Sequence, residues 1–427
     1  GEGGLCDPNP CEHGGTCTSD GVKAECDCAP GYEGPTCHDD IDECMPNPCA
    51  HMERCTDLVA DFKCDCMPID AGKRCELPRF QPIVGPGMMV AVTDARAVSA
   101  DGGVVVGTFT GMSGFARPFY WTVARGPQPL NIPSSLRPDV HVYATAVSGD
   151  GTRWAGYYQG TAATDFPHPV GGTLAQSAEL PTPNGRGTAL DLDATGAKVV
   201  GLFFDNTSTE SRAGQWTDPV QPVTLLPNPL GQTAAASAGA VTRDGTIVTG
   251  TARDSANGLL VVSWVDAGTN PPPSRRFGTM GITSAEVRGT SSDGRFAAGT
   301  MTDSAGANFA FGTQGSTAMN IAPMNGAVFA MSHAFDVNDD GTVIVGDAFL
   351  GMSGMTPSSQ ACTWTRNAQQ EITSFKGTVM DALRNAGVQL PNWTLLNAYG
   401  VSADGKTIVG TGFDPQGFTV GFIARLP

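Results

Sequence analysis

The chain has 427 residues, 16% of them charged and 40% apolar, enough for two or three domains with a buried core. A formal charge of −17 would repel phosphates, so nucleic acid is not expected as a partner, and calcium suits the charge better. No apolar run nears the roughly 18 residues of a membrane-crossing helix, so no membrane span is expected.

Cysteine usage divides the sequence. Twelve of the 13 cysteines lie between Cys6 and Cys75, and Cys362 stands alone. Residues 1–79 also hold 17 acidic and 6 basic side chains, a net −11. So dense a cystine block persists only in an oxidising compartment, and the protein is expected to be secreted, extracellular or displayed at the cell surface. The polar opening Gly1-Glu2-Gly3-Gly4 lacks a secretory signal, which is read as a processed, mature chain.

Cys6, Cys11, Cys17, Cys26, Cys28 and Cys37 are separated by 4, 5, 8, 1 and 8 residues. Cys44, Cys49, Cys55, Cys64, Cys66 and Cys75 repeat the same five gaps. These are two copies of one small module, which needs disulfides because it cannot bury enough apolar surface. Spacing alone leaves 15 connectivities for each set of six. Zinc is the competing reading of the Cys-x-Cys pairs, but suitably spaced His are too few and Cys too many.

The segments Cys11-Glu-His-Gly-Gly-Thr-Cys17 and Cys28-Ala-Pro-Gly-Tyr-Glu-Gly-Pro-Thr-Cys37 resemble the epidermal-growth-factor-like (EGF-like) family. That resemblance implies the pairs Cys6–Cys17, Cys11–Cys26 and Cys28–Cys37, then Cys44–Cys55, Cys49–Cys64 and Cys66–Cys75. The second copy departs from the family in keeping only Gly72 of the Gly-Tyr-x-Gly turn. Its lead-in, Asp40-Ile41-Asp42-Glu43-Cys44, with Cys55-Thr56-Asp57 and Phe62, resembles the calcium-binding variant. Ca²⁺ takes six to eight oxygens, and the resemblance implies side-chain oxygens from Asp40, Glu43 and Asp57 and carbonyls from Ile41 and Leu58. An acidic linker on a solvated surface is the plain alternative. The first copy has Ser19 in place of Asp57 and is expected to bind no calcium. Thr16 and Asp57 match fucosylation and hydroxylation patterns, and Asn206 and Asn392 open glycosylation sequons; all four are expected to be unmodified.

After the cysteine block comes a second repeat. Ala97-Val-Ser-Ala-Asp101-Gly102-Gly-Val-Val-Val-Gly107 recurs with small edits, closing at Gly107, Gly156, Gly201, Gly250, Gly299, Gly346 and Gly410. Six copies turn on Asp-Gly and the other on Thr195-Gly196, so each holds a β-hairpin. Trp121, Trp216, Trp264 and Trp364 fall 14 to 18 residues after the closing glycine. Each unit of about 47 residues has room for four strands, in the first unit Ala97–Ser99, Val104–Thr110, Pro118–Val123 and Gln128–Ile132.

Seven such units read as an all-β, seven-bladed β-propeller of four-stranded blades; a β-solenoid is the alternative. The pattern, closest over Leu383–Pro415, resembles the bacterial extracellular-repeat (HAF) family across about residues 86–427, which implies export and a bacterial source. The expected domains are EGF-like module 1 over 1–38, calcium-binding EGF-like module 2 over 39–78, and the propeller over 79–427. A longer spacing of 64 residues before the last unit leaves room for a short helix, with Val379, Leu383 and Ala386 at helical intervals. The last unit reaches only three strands, near Tyr399–Ser402, Thr407–Gly412 and Phe418–Arg425. Met88–Val92 is therefore expected to pair beside Phe418–Arg425 and close the ring as an N-terminal strand.

The repeated Asp residues are read as turn formers that bond their own backbone. Asp336-Val-Asn338-Asp-Asp340-Gly341 spells the start of an EF-hand-like loop, but position 12 is Asp347 rather than Glu. The six His are scattered, and no nucleophile or phosphate-loop motif occurs. Cys362, two residues before Trp364, is read as a buried thiol, with an intermolecular disulfide as the sharper alternative. No catalytic residue is assigned, and the chain is expected not to be an enzyme. The favoured function is a bacterial structural or interaction protein of the cell surface or matrix, calcium-stabilised and able to self-associate or bind another extracellular protein or glycan. A carbohydrate- or peptide-binding, adhesive propeller is the alternative, and a polysaccharide-active enzyme comes third.

Overall fold

The structure is a computed structural model. It describes residues 4–427 except 86–91, 163, 206–209, 218–220, 229–234, 254–258, 266–273, 278–280, 315–316, 322–330, 351–357 and 367–371. The sequon at Asn206 lies outside the described residues. Two compact units form, one built on Gly1–Arg79 and the other on Phe80–Asn385 with Gln389–Leu426.

In the first unit, six disulfides join Cys6–Cys17, Cys11–Cys26, Cys28–Cys37, Cys44–Cys55, Cys49–Cys64 and Cys66–Cys75. Each cysteine repeat carries one main hairpin, Thr16–Ser19 with Ala24–Asp27 and Arg54–Leu58 with Asp61–Asp65. The buried apolar set here is little more than Cys37, Cys49, Ala71 and Cys75, so cystine takes the place of a conventional core.

The second unit is a seven-bladed β-propeller, and its blades are antiparallel four-stranded sheets. The first strands of blades 1 to 7 are Val92–Val98, His141–Val147, Gly187–Leu192, Ala236–Val241, Ile282–Thr290, Ser332–Val337 and Thr394–Val401. Blade 1 continues through Val104–Thr110, Ala116–Thr122 and Gly126–Pro129, a few residues from the expected bounds. The outer strands of blades 4 and 5 pair in parallel, Arg276 opposite Thr317, which merges those two sheets. The tryptophans fill the layers between blades: Trp121, Trp154, Trp216 and Trp364 are at most 2% exposed. Trp216 Nε1 donates to Pro181 O in the preceding blade at 3.0 Å, and Trp264 Nε1 to Pro227 O at 2.7 Å. A helix at Val379–Asn385 buries Val379, Met380 and Leu383, and Thr378 Oγ1 caps it by accepting Asp381 N at 3.0 Å.

The turns follow the side-chain chemistry expected of Asp-Gly. Ser99 Oγ donates to Asp101 Oδ1 at 2.6 Å, and Gly103 N donates to the same oxygen at 2.8 Å. Gly102 sits at φ +74°, open to glycine at little cost. The same hydroxyl bond recurs at Asp150, Asp244, Asp293 and Asp404; at Asp340, where Asn338 replaces the hydroxyl residue, Oδ1 still accepts Thr342 N at 2.8 Å. Turn backbones then link blade to blade around the ring, including Ala100 N to Gly149 O, Ser292 N to Asp339 O and, between the last blade and the first, Ala403 N to Ala100 O at 3.0 Å.

One expected pairing is corrected. Residues 88–91 lie outside the described set, and Val92 opens the first strand of blade 1, opposite Thr110. The strand beside Thr419–Arg425 in blade 7 is Phe80–Ile83, running from Ala424 opposite Phe80 to Gly421 opposite Ile83. Pro82 argues against a strand within a sheet, but at the outer edge its missing N–H leaves no ladder bond unmade. Thr93 Oγ1 fixes the seam, donating to Ile83 O at 2.6 Å and accepting Gly421 N at 2.8 Å.

Candidate functional site

The acidic cluster of the second cysteine repeat forms where its lead-in meets its hairpin. Asp39–Asp40 pairs with Tyr32–Glu33 of the first repeat, and Ile41 N donates to Gly31 O at 2.8 Å. Gly31 is at φ +92°, and a Cβ there would lie 2.5 Å from Ala60 N. The two repeats therefore meet backbone to backbone, and only glycine permits it.

Asp57, on the strand Arg54–Leu58, accepts Glu43 N at 2.9 Å through Oδ1. Glu43 Oε2 is buried and has no hydrogen-bond partner. Its carboxyl is pushed above its ordinary range by burial first, then by the neighbouring Asp57 and Asp40 carboxylates. Ligand atoms of Asp42, Cys44 and Asp57 lie within 4.8 Å of one another, but Cys44 is bonded to Cys55 and offers no thiolate. Asp42 was not among the ligands named from sequence; its Oδ1 accepts Cys44 N at 2.9 Å. Ile41 is 37% exposed and Leu58, opposite Asp61, is 45% exposed. In the first repeat Ser19 Oγ accepts Gly21 N, so it closes a turn. An orphaned carboxylate oxygen among like charges is the environment a hard cation relieves, and the residues present fit one.

The second site is built by the propeller's closing glycines. At all seven, a Cβ would fall about 2 Å from a first-strand carbonyl, for example 1.9 Å from Tyr143 O at Gly156 and 1.9 Å from Glu286 O at Gly299. That close approach accompanies a β-bulge in every blade, where the register skips one residue. Blades 5 and 7 skip a second residue, Thr283 and Leu396. The residues skipped beside the closing glycine's partner are Arg96, Thr145, Leu190, Gly239, Arg288, Phe335 and Tyr399. Bulges re-aim side chains, and all seven of these line one cavity of about 560 Å³ at a mouth of the central channel.

The chemistry of this mouth is aromatic with paired charges. Tyr143 and Tyr157 of blade 2 lie 5.0 Å apart, and Phe335 and Tyr399 of blades 6 and 7 lie 4.9 Å apart. Arg96 of blade 1 stacks over Tyr399 at 4.1 Å and reaches Asp94 at 2.5 Å. Arg288 pairs with Glu286. Burial pushes the Tyr399 phenol up to about 12. Beyond the bulge ring the channel narrows to a cavity of about 120 Å³, where Arg243 of blade 4 pairs with Asp339 of blade 6. Asp191 and Asp336 line this neck; each accepts a backbone N–H of the next blade, from Val241 and Val401, at 2.9 Å. Burial pushes both carboxyls up to about 7.

The EF-hand-like residues are occupied otherwise. Besides Asp336, Asn338 Oδ1 accepts Val343 N, Asp340 Oδ1 accepts Thr342 N, and Asp347 takes His333 Nδ1 at 2.6 Å and Ser359 Oγ at 2.6 Å. Cys362 is a free, fully buried thiol pushed above its ordinary range by burial. The channel-mouth residues went unnamed from sequence, although the closing glycine marks each one: in every blade it pairs with the residue just before the bulged one.

Among known proteins, residues 6–36 match the EGF-like domain family. Over 42 residues the chain is 50% identical to neurogenic locus notch homolog protein 1 of Xenopus tropicalis, 9% of this chain and 2% of that protein. It is 56% identical over 41 residues to a cubilin homolog of Caenorhabditis elegans, 9% of this chain and 1% of that one. Among solved structures, a prolyl endopeptidase study yields a chain with TM-score 0.48 and 13% identity, covering 79% of this chain and 51% of that one. The β-propeller domain of the trilobed protease from Pyrococcus furiosus gives 0.46 and 11%, covering 79% and 96%. The expectation that the chain is not an enzyme is corrected: the solved structures it resembles include prolyl endopeptidases and the propeller domain of a protease. At such identities they assign no reaction to this chain. The EGF-like region and its relatives point to an extracellular or surface protein. Among the described residues no helix is long and apolar enough to cross a membrane.

Proposed function

We propose that the chain is an extracellular interaction protein, made by a bacterium, in which calcium at a second EGF-like module over 39–78 stiffens its junction with a first over 1–38, ahead of a propeller over 79–427. The likeness of residues 86–427 to the bacterial extracellular repeat supports the source. The observation that carries the calcium reading is the buried, partnerless Oε2 of Glu43 beside Asp57. Asp40, Glu43 and Asp57 would supply carboxylate oxygens and Ile41 and Leu58 carbonyls, with Asp42 within reach of Asp57. Calcium would neutralise the charge gathered there.

Calorimetric titration tests this. One calcium ion should bind, with a dissociation constant on the order of 0.1–1 mM, as is usual for extracellular modules. Glu43→Gln should weaken it at least about tenfold, and absence of a calcium heat in the intact chain would overturn the assignment. Self-association is the further step. Repulsion between acidic N-terminal regions, net −11, would hold subunits apart until calcium relieves it. Light scattering that stays monomeric across a calcium titration at high protein concentration would remove that step.

A further inference from the structure

We propose that the wide mouth of the propeller channel binds a short neutral oligosaccharide. This deepens the interaction-protein reading by naming a ligand class, and it rests on the propeller alone, independent of calcium. Four aromatic rings, Tyr143, Tyr157, Phe335 and, with Arg96 stacked over it, Tyr399, line one cavity of about 560 Å³, within the size range of small-molecule sites. Ring faces bury the C–H face of a sugar while leaving its hydroxyl rim to hydrogen bonds.

Charge in the mouth selects against ions. Arg96 and Arg288 each have a carboxylate two residues upstream on the same strand, Asp94 and Glu286, and each pair is joined. Asp94 is held a second time, by Thr411 Oγ1 at 2.7 Å. An anionic sugar or a peptide terminus would have to break one of these pairs to find a counter-charge. Hydroxyls need not, because each both donates and accepts and can use the remaining guanidinium N–H groups and carboxylate lone pairs. The pairs also hold the guanidiniums in place, so little side-chain entropy remains to be lost on binding. All of these groups stand on strands, and Arg96, Arg288, Phe335 and Tyr399 stand at the bulges, which is a preorganised arrangement.

Calorimetry on the intact chain, with and without calcium, tests the proposal against five probes: pentaoses of β-1,4-glucose, α-1,4-glucose and β-1,4-mannose, a galacturonate pentaose, and a neutral pentapeptide. At least one neutral pentaose should bind with a sub-millimolar constant in both conditions. Tyr143→Ala and Arg288→Gln should each weaken it about tenfold or more, while Phe418→Ala, a variant of an exposed blade-7 residue, leaves it unchanged. Arg288 is 41% exposed, so its variant keeps the test valid should Tyr143→Ala fail to fold. No neutral pentaose binding at millimolar concentration would overturn the proposal. So would binding of only the galacturonate or the peptide, or binding that neither variant changes. Loss of calcium binding with sugar binding intact would count only against the calcium reading.

Discussion

Glycine is the residue on which the propeller turns. The repeat was legible because the same glycine closes every unit, and its cause is a carbonyl about 2 Å from where a Cβ would stand. Gly156→Ala should therefore lower the stability of the ring by at least about 2 kcal/mol in urea unfolding, since backbone must move. Gly111→Ala, with nothing within 4 Å, should stay within about 0.5 kcal/mol of the parent. Equal effects at the two positions would show that the close approach is not what the repeat preserves. The mouth residues were hidden from sequence reading because a bulge breaks the period of two on which strand patterns rest. Arg96, Arg288 and Tyr399 look like ordinary strand residues until the register skips. The fit of Glu43 for a cation was foreshadowed by its offset from Cys44, but its orphaned oxygen is a three-dimensional fact.

Among elements, the hairpins were readable from Asp-Gly flanked by β runs, and the short helix from Val379 and Leu383. The strand Phe80–Ile83 was not, because Pro82 demotes any segment of four residues and the apolar run at Met88 drew the pairing instead. We expect Phe80–Ile83 to act as the clasp between blade 7 and the start of blade 1. Phe80 stacks on Phe422 at 6.1 Å and meets Trp393 edge-on at 5.0 Å. Replacing Phe80 and Ile83 with Ser should lower the unfolding midpoint of the whole propeller in one cooperative transition, because an opened seam exposes two strand edges. A separate early transition confined to one blade would contradict the clasp.

At the scale of the molecule, pH acts in two directions on the propeller. The turn carboxylates Asp101 and Asp244 are held below their ordinary range, first by hydrogen bonds from the Ser99 and Thr242 hydroxyls. Their contribution is present above the unfolded value near 4 and is lost as pH falls below it. Asp191 and Asp336, raised to about 7 by burial, act with the opposite sign. The folded ring binds protons there that the unfolded chain has released, so stability rises as pH falls from about 7 toward 4. Maximum stability is expected between about pH 4 and 6. All six tryptophans lie at or beyond Trp121, so tryptophan fluorescence during thermal unfolding reports the propeller alone. A maximum at pH 8 would contradict the assignment, and Asp191→Asn should flatten the rise between pH 7 and 5.

Calcium at the junction of the two cysteine repeats is most directly tested by limited proteolysis of the segment between Cys37 and Cys44. With the cation bound, Asp40 and Glu43 are drawn onto Asp57 and the segment should resist cleavage. In chelator the like charges should part, and cutting between residues 38 and 43 should quicken by about tenfold or more, with the Glu43→Gln chain cut at the fast rate in both conditions. Equal resistance of the intact chain in calcium and in chelator would contradict the account.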